Sequence, residues 1–183
     1  MLYIALLHHP VYNKDGKIVT TAVANMDIHD ISRVSRTYGV QNFFIVNPIP
    51  AQLDLAQEII NHWCRGYGSV FNPLRRAALE LVRLKTNLNE VKEEIFGQTG
   101  FIPKVIATSA AFGNGVVSFS GLKEMIEKDR LPYLLVFGTG WGIAEEEIRN
   151  ADYLLEPIRR DADYNHLPVR SAVAIVLDRI VGE

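Results

Sequence analysis

Five short apolar runs are the feature of the sequence that most limits its fold. They occupy residues 3–7, 43–46, 104–107, 133–137 and 153–155, with helical segments between them. Each run is partly β-branched or aromatic and almost uninterrupted, which is typical of strands buried on both faces of a parallel sheet. The sequence therefore predicts an α/β fold with a mostly parallel sheet and helices on both faces.

Helical patterns occupy the segments between these runs. The clearest one has three- and four-residue spacings and ends before Gly182: Val169, Ala172, Val173, Val176, Leu177 and Ile180. Three shorter stripes are predicted to pack in the core: Leu55, Ile59 and Trp63; Leu74, Ala77, Ala78 and Leu81; Leu122, Met125 and Ile126. Residues 87–100 are the least regular, and we expect a helix end and a surface loop there.

Length and composition favour one globular domain over residues 1–183, because 48% of the residues are apolar and 22% are charged. Cys64 is the only cysteine, so an intrachain disulfide is impossible and a cytoplasmic location is expected. The amino terminus has no basic leader and no apolar run approaches the ~20 residues that span a bilayer, so we expect neither secretion nor membrane insertion. With a formal charge of −2, contacts to nucleic acid must come from local basic patches.

The fourth apolar run leads directly into three alternating glycines, Gly138, Gly140 and Gly142. Glycine permits positive φ and a close approach of backbone to ligand, so we predict a small-molecule site at this turn. Three glutamates at residues 145–147 would repel a pyrophosphate at the start of the next helix, which disfavours a phosphate-rich dinucleotide. The first run is also followed by His8-His9-Pro10 in place of a glycine fingerprint, which argues against a dehydrogenase.

Three segments in order resemble the three motifs of SPOUT-class RNA methyltransferases, most closely the branch that methylates ribose. They lie over residues 27–40, over residues 136–143, and over residues 155–158 with 165–174. The specificity of the resemblance comes from the order and spacing of the motifs. It implies S-adenosylmethionine (SAM) as cofactor, RNA as substrate with tRNA favoured over rRNA, a deep C-terminal trefoil knot, and a homodimer with each active site near the subunit interface.

The same resemblance implies three turns around the adenosine portion of SAM. One lies around residues 108–110, one at the glycines, and one around Ile158 with residues 166–169. Backbone groups would recognise the adenine edge while apolar side chains enclose the ring. The predicted cofactor-binding residues are Thr108, Ser109, Phe137, Gly138, Gly140, Trp141, Gly142, Ile143, Ile158, His166, Leu167 and Val169.

Arg33 is the predicted catalytic residue, because it occupies the arginine position of the first motif. On the predicted first helix it shares a cationic face with His29 and Arg36, although spacing alone also fits an ordinary solvated face. We hypothesise that Arg33 binds a phosphate beside the target nucleotide and favours loss of the acceptor proton, which Asp27 or a water molecule takes up. Arg36, Arg170 and His29 are predicted contacts to RNA.

Departures from the family pattern leave a second function open, a non-catalytic α/β module that binds a nucleotide or RNA. Asp27 replaces the leading Asn of the first motif, Gly140-Trp141 replaces a step that often contains Glu, and residues 166–169 differ from the usual Ser-Leu-Asn-Val. Ribose oxygen and base nitrogen both stay open as the methyl acceptor. The histidines lack metal-ligand spacing with acidic partners, so we predict no metal.

Overall fold

The computed structural model describes residues 1–109, 116–159 and 166–182. Its strands are β1 (Leu2–Leu7), β2 (Val11–Tyr12), β3 (Ile18–Val19), β4 (Phe43–Val46), β5 (Val82–Lys85), β6 (Lys104–Thr108), β7 (Val116–Val117), β8 (Tyr133–Gly138) and β9 (Tyr153–Leu155). Its helices are α1 (Asn25–Thr37), α2 (Pro50–Cys64), α3 (Tyr67–Phe71), α4 (Pro73–Leu79), α5 (Leu88–Thr99), α6 (Phe119–Lys128), α7 (Glu145–Arg149) and α8 (Val169–Val181).

Seven strands form one sheet in the order β5-β4-β1-β8-β6-β9-β7, and all neighbours pair in parallel. β1 lies near the centre, where Ile4 is opposite Phe43 on one side and Leu135 on the other. All residues of β1, β4 and the five predicted positions of β8 are buried, as strands covered on both faces require. The predicted α/β class with a mostly parallel sheet is confirmed.

Each face of the sheet carries its own hydrophobic core, because successive side chains of a strand point to opposite faces. Ile4 and Leu6 pack on one face with buried residues of α1, α2, α4, α6 and α8. Tyr3, Ala5 and Leu7 pack on the other face with buried residues of α5 and with Ile143, just before α7. Complete burial of one such aliphatic side chain contributes about 1.5–3 kcal/mol. Helices therefore cover both faces, as predicted.

The C-terminal helix α8 follows the predicted apolar stripe, and Val173, Val176, Leu177 and Ile180 are all buried. α8 runs alongside α1 in the same direction, because contacts join both pairs of helix ends. Arg170 meets Asp27 near the amino ends, and Tyr38, just after α1, donates a hydrogen bond to Asp178 Oδ1 at 2.9 Å. This packing brings the amino ends of the two helices together.

Residues 87–100 form a complete helix, so the prediction of a helix end and a loop is wrong. The Asn87 side chain accepts a hydrogen bond from Glu90 N at 3.0 Å at the start, and Gly100 ends the helix with φ of 75°. Leu88, Val91 and Ile95 are buried on the face that packs against the sheet. The three- and four-residue spacing of these residues was hidden among many polar neighbours.

Two predicted core positions are also wrong, because Leu74 is 85% exposed and Leu55 is 46% exposed. α4 ends at Leu79, and its buried side is formed by Ala78 and Leu79. On α2 the buried residues are Ala56 and Ile60, one position further along than the predicted stripe.

Two other predictions concern the chain path and the membrane. Residues 160–165 of the C-terminal segment lie outside the described residues, so the predicted knot stays a prediction. Within the described ranges, no helix has both the length and the apolar character needed to cross a membrane.

Candidate active site

A cleft of about 740 Å³ opens at the carboxyl ends of β6, β8 and β9. Ligands of open α/β sheets bind at this edge, and the volume suits a molecule of nucleoside size. All twelve predicted cofactor-binding residues line it: Thr108, Ser109, Phe137, Gly138, Gly140, Trp141, Gly142, Ile143, Ile158, His166, Leu167 and Val169. Ala110 and Asn165, which belong to the predicted motifs, lie outside the described residues. Three separate segments of the sequence therefore meet in one cleft.

Glycine shapes the turn that follows β8. Gly142 N donates a hydrogen bond to Thr139 O at 3.1 Å, which closes the turn. Gly140 has φ of +59° and Gly142 has φ of +105°, values that strain a residue with a side chain. A Cβ atom at Gly140 would also lie 2.7 Å from the carbonyl oxygen of Tyr12. The turn therefore requires glycine at Gly140 for both conformation and space.

The small hairpin of β2 and β3, which sequence analysis missed, holds this turn in place. Tyr12 N donates to Gly142 O at 2.9 Å, and Trp141 N donates to Tyr12 O at 2.9 Å. The Tyr12 hydroxyl accepts a hydrogen bond from Glu145 N at 3.1 Å, at the start of α7. Tyr12 itself lines the cleft. Strands of two residues are too short to show a period of two, so the sequence carried no signal for this hairpin.

His8, at the end of β1, has a structural role behind the turn. It is 1% exposed, and its Nδ1 lies 3.0 Å from Thr21 Oγ1. The Thr21 hydroxyl meets that of Thr139, which donates to Leu7 O at 3.1 Å. Burial lowers the pKa of His8 to about 4, so its ring is neutral at pH 7. This network ties the glycine turn to the central strand.

An ion pair between α1 and α8 forms part of the cleft wall. Arg170 Nη1 lies 3.2 Å from Asp27 Oδ1, and Arg170 Nε lies 3.7 Å from Asp30 Oδ2. The Asp27 side chain is 12% exposed and that of Arg170 is 33% exposed, so water only partly screens the pair. Both residues line the cleft. The structure thus joins a predicted proton acceptor and a predicted RNA contact.

The other three predicted site residues are not among those that line the cleft. The Arg33 side chain is 60% exposed, and its Nη1 lies 3.9 Å from Asp30 Oδ1. Arg36 is exposed in the last turn of α1. His29 turns toward a second groove, where its ring meets Trp63 edge-on at 5.5 Å between centroids, and burial is the main cause that lowers its pKa. Among the described residues, Asp30 links Arg33 to Arg170 in the cleft wall.

Several residues that line the cleft were not predicted: Tyr12, Thr139, Glu145, Ile148, Leu155, Glu156, Pro168, Ala172 and Val176. Glu156 directly follows β9, and its Oε1 accepts a hydrogen bond from Phe119 N at 2.7 Å at the start of α6. A carboxylate at the end of a buried strand was the available signal. Among the described residues, no group of three His, Cys, Asp or Glu side chains is arranged to hold a metal ion.

Comparison with known proteins identifies the family of this chain. The model of a family described as SAM-dependent RNA methyltransferase matches residues 1–182. The chain belongs to that family. The cofactor of this methyltransferase is therefore SAM, and its substrate class is RNA, as the motif resemblance implied.

Two relatives and one solved structure illustrate how far the methyltransferase resembles others. An uncharacterized protein from Aquifex aeolicus (strain VF5) is 44% identical over 98% of this chain and 87% of its own length. A tRNA (guanine-N(1)-)-methyltransferase from Oleidesulfovibrio alaskensis is 43% identical, and the chain spans only 42% of its length. TrmJ from Z. mobilis has a TM-score of 0.65 at 14% identity, over 99% of this chain and 69% of that one, which supports the fold alone.

The residues of the cleft fit SAM. Phe137 and Ile143 are nearly fully buried and, with Val169, offer an apolar wall to an adenine ring. The carboxylates of Glu145 and Glu156 lie among the lining residues, where a sulfonium cation is tolerated. SAM has no phosphate, so the acidic start of α7 does not repel it as it would repel a dinucleotide. The volume of about 740 Å³ accommodates such a molecule.

Proposed function

We propose that this methyltransferase acts on tRNA, with Asp27 and Arg170 at the point of methyl transfer. The observation that carries the proposal is the contact of these two side chains in the wall of a SAM-sized cleft. A carboxylate can accept a proton, and a guanidinium can bind an RNA phosphate, so the pair supplies two functions that methylation of a nucleotide needs. The tRNA methyltransferase from Oleidesulfovibrio alaskensis supports tRNA as the substrate.

When bound, SAM supplies an electrophilic methyl group on a positively charged sulfur. The protein positions the acceptor atom in line with that methyl group, and such positioning lowers the barrier by up to about 7–11 kcal/mol. Asp27 accepts the proton that the ribose hydroxyl or base nitrogen loses. Arg170, at 3.2 Å, orients the Asp27 carboxylate and binds the phosphate of the target nucleotide.

Arg33 binds the neighbouring phosphate from the rim of the cleft. Arg33, Asp30, Arg170 and Asp27 form a row of alternating charges from the surface to the cleft, with neighbours 3.9, 3.7 and 3.2 Å apart. The two arginines and two aspartates of this row balance, and Arg36, three residues beyond Arg33, adds a positive charge that attracts RNA. In this arrangement Arg33 favours loss of the acceptor proton through its charge.

The methyltransferase is further proposed to be one domain, to carry the C-terminal knot, to form a homodimer and to act in the cytoplasm. The knot and the homodimer are supported by the resemblance to the SPOUT motifs of residues 27–40, of residues 136–143, and of residues 155–158 with 165–174. The single cysteine and the RNA substrate support a cytoplasmic location.

Transfer of a radioactive methyl group from labelled SAM to unmodified RNA tests the proposed function. We expect the protein to label tRNA and to leave an equal mass of rRNA unlabelled, and nucleoside analysis of the product identifies the acceptor atom. SAM binding without transfer to either RNA would contradict the proposal and support the non-catalytic module. Absence of SAM binding in calorimetry would also contradict the cofactor site.

A further inference from the structure

Four exposed apolar side chains lie on α3 and α4, and none of them lines the cleft. Tyr67 and Phe71 are 76% and 70% exposed, and their rings stack with centroids 5.9 Å apart at 25° between planes. Val70 and Leu74 are 81% and 85% exposed on the same stretch. Large apolar side chains that cluster in solvent mark an interaction site. These four residues, together with Arg65 and Arg75, are called the α3–α4 surface below.

Positive charge accompanies these aromatic rings. Residues 59–79 contain three arginines and no Asp or Glu. Arg76 pairs with Glu80 at 2.8 Å, whereas Arg65 and Arg75 form no ion pair within the described residues. An identical copy of the chain would bring the same positive charge to this surface, while RNA would neutralise it. Charge complementarity therefore favours RNA as the occupant.

A groove of about 470 Å³ extends the α3–α4 surface to α1, and Trp63, Arg75 and His29 line it. The Arg75 guanidinium carbon lies 4.6 Å from the centroid of the Trp63 ring. Glu58 is the one carboxylate among the lining residues. Flat rings and a guanidinium group suit an unpaired nucleotide.

The groove and the cleft flank the amino end of α1. Asn25 lines the groove and Asp27 lines the cleft, so the two sites lie on either side of the first helical turn. Met26, between them, is 56% exposed, which leaves the end of the helix accessible. A helix with its side chains is about 10–12 Å across. A few nucleotides of a single strand cover that distance.

We propose that the α3–α4 surface and its groove bind an unpaired segment of the substrate RNA, next to the nucleotide that enters the cleft. The inference rests on the proposed methylation of tRNA. Bases stack on Tyr67 and Phe71, and Arg65 and Arg75 contact the phosphates. The surface thus increases the affinity for the substrate RNA, while Asp27 and Arg170 act on the nucleotide in the cleft.

Binding of fluorescently labelled unmodified tRNA to the double variant Y67A/F71A tests this inference. We expect the Kd and the KM for tRNA to rise about 30-fold or more, because two stacking platforms are lost. The kcat and the Kd for SAM should stay unchanged, since both side chains are exposed and neither lines the cleft. Arg65→Gln should lower the slope of log affinity against log salt by about 1. The matched control is F96A/F101A, at aromatic rings that are 53% and 52% exposed elsewhere, with no expected change.

An unchanged Kd for tRNA in Y67A/F71A would overturn the inference. Conversion of a dimer into a monomer by Y67A/F71A in sedimentation would assign the surface to a second copy and would overturn it as well. Direct binding separates this inference from the proposed function. A wild-type protein that binds tRNA through these residues but does not methylate it would contradict the proposed function alone.

Discussion

Replacing Gly140 with valine should weaken SAM binding by about 100-fold or more. Gly140 has φ of +59°, and a Cβ atom there would lie 2.7 Å from Tyr12 O, so the turn or the hairpin must move. The turn forms one wall of the cleft, and a loss of about 2.7 kcal/mol of binding free energy corresponds to that factor. Strain of this type also costs the fold about 1–3 kcal/mol. Calorimetric titration with SAM measures the first effect, and thermal unfolding measures the second.

Gly97→Ala is the matched control for this prediction. Gly97 lies within α5, and an added Cβ there meets nothing within 4 Å. Alanine in a helix is favoured over glycine by about 0.8–1.0 kcal/mol, so the control should keep full SAM affinity and gain slight stability. A folded Gly140→Val protein with wild-type affinity would show that the turn does not contact SAM.

Asp27→Asn should lower the rate of methyl transfer by about 100- to 10,000-fold while SAM affinity changes less than about twofold. Asparagine keeps the shape of the side chain and removes its ability to take up a proton, and general base catalysis contributes about this factor. The loss should appear in kcat, because the Asp27 carboxylate acts on the acceptor atom during transfer. Single-turnover transfer from labelled SAM to tRNA gives the rate.

Asp30→Asn is the control that tests whether the loss of a negative charge near Arg170 alone explains the lower rate of Asp27→Asn. Asp30 also contacts Arg170, at 3.7 Å, but its side chain is 43% exposed and is not among the residues that line the cleft. We expect the rate of methyl transfer to fall far less in Asp30→Asn than in Asp27→Asn. Equal rates in the two variants, or a wild-type rate in Asp27→Asn, would remove Asp27 from the chemistry.

The sheet could be predicted because its central strands are uniformly apolar. The runs at residues 43–46 and 153–155 coincide with β4 and β9, and the other three are short by one residue. β5 was missed because it lies at the sheet edge and alternates Val82 and Leu84 with charged Arg83 and Lys85. Only strands enclosed on both sides lose their polar residues, so only those stand out in a sequence.

The cleft could be predicted in part because backbone geometry there demands glycine. Gly140 and Gly142 have positive φ, and alternating glycines after a strand are visible without a structure. The partner of this turn, Tyr12, could not be found, because the contact joins residues about 130 positions apart through backbone atoms. The order of the three motifs predicted the other segments that line the cleft.

The pairing of Asp27 with Arg170 depends on tertiary structure. The sequence shows both residues at the start of helices but gives no sign that α1 and α8 lie side by side. Periodicity placed Arg33 and His29 on one face of α1, yet His29 packs against Trp63 while Arg33 stays exposed. Helical spacing shows which side chains share a face of a helix, but the position of the neighbouring helices determines which of those side chains are buried.

A crystal structure of the protein with S-adenosylhomocysteine, the demethylated form of SAM, tests the proposed cofactor site. We expect the adenine ring to lie beside Phe137 and Ile143, and the backbone contacts to lie at residues 138–142 and 167–169. The sulfur should face the side of the cleft that holds Asp27 and Arg170. A ligand bound elsewhere, or a cleft filled by the protein's own residues, would overturn the proposed site.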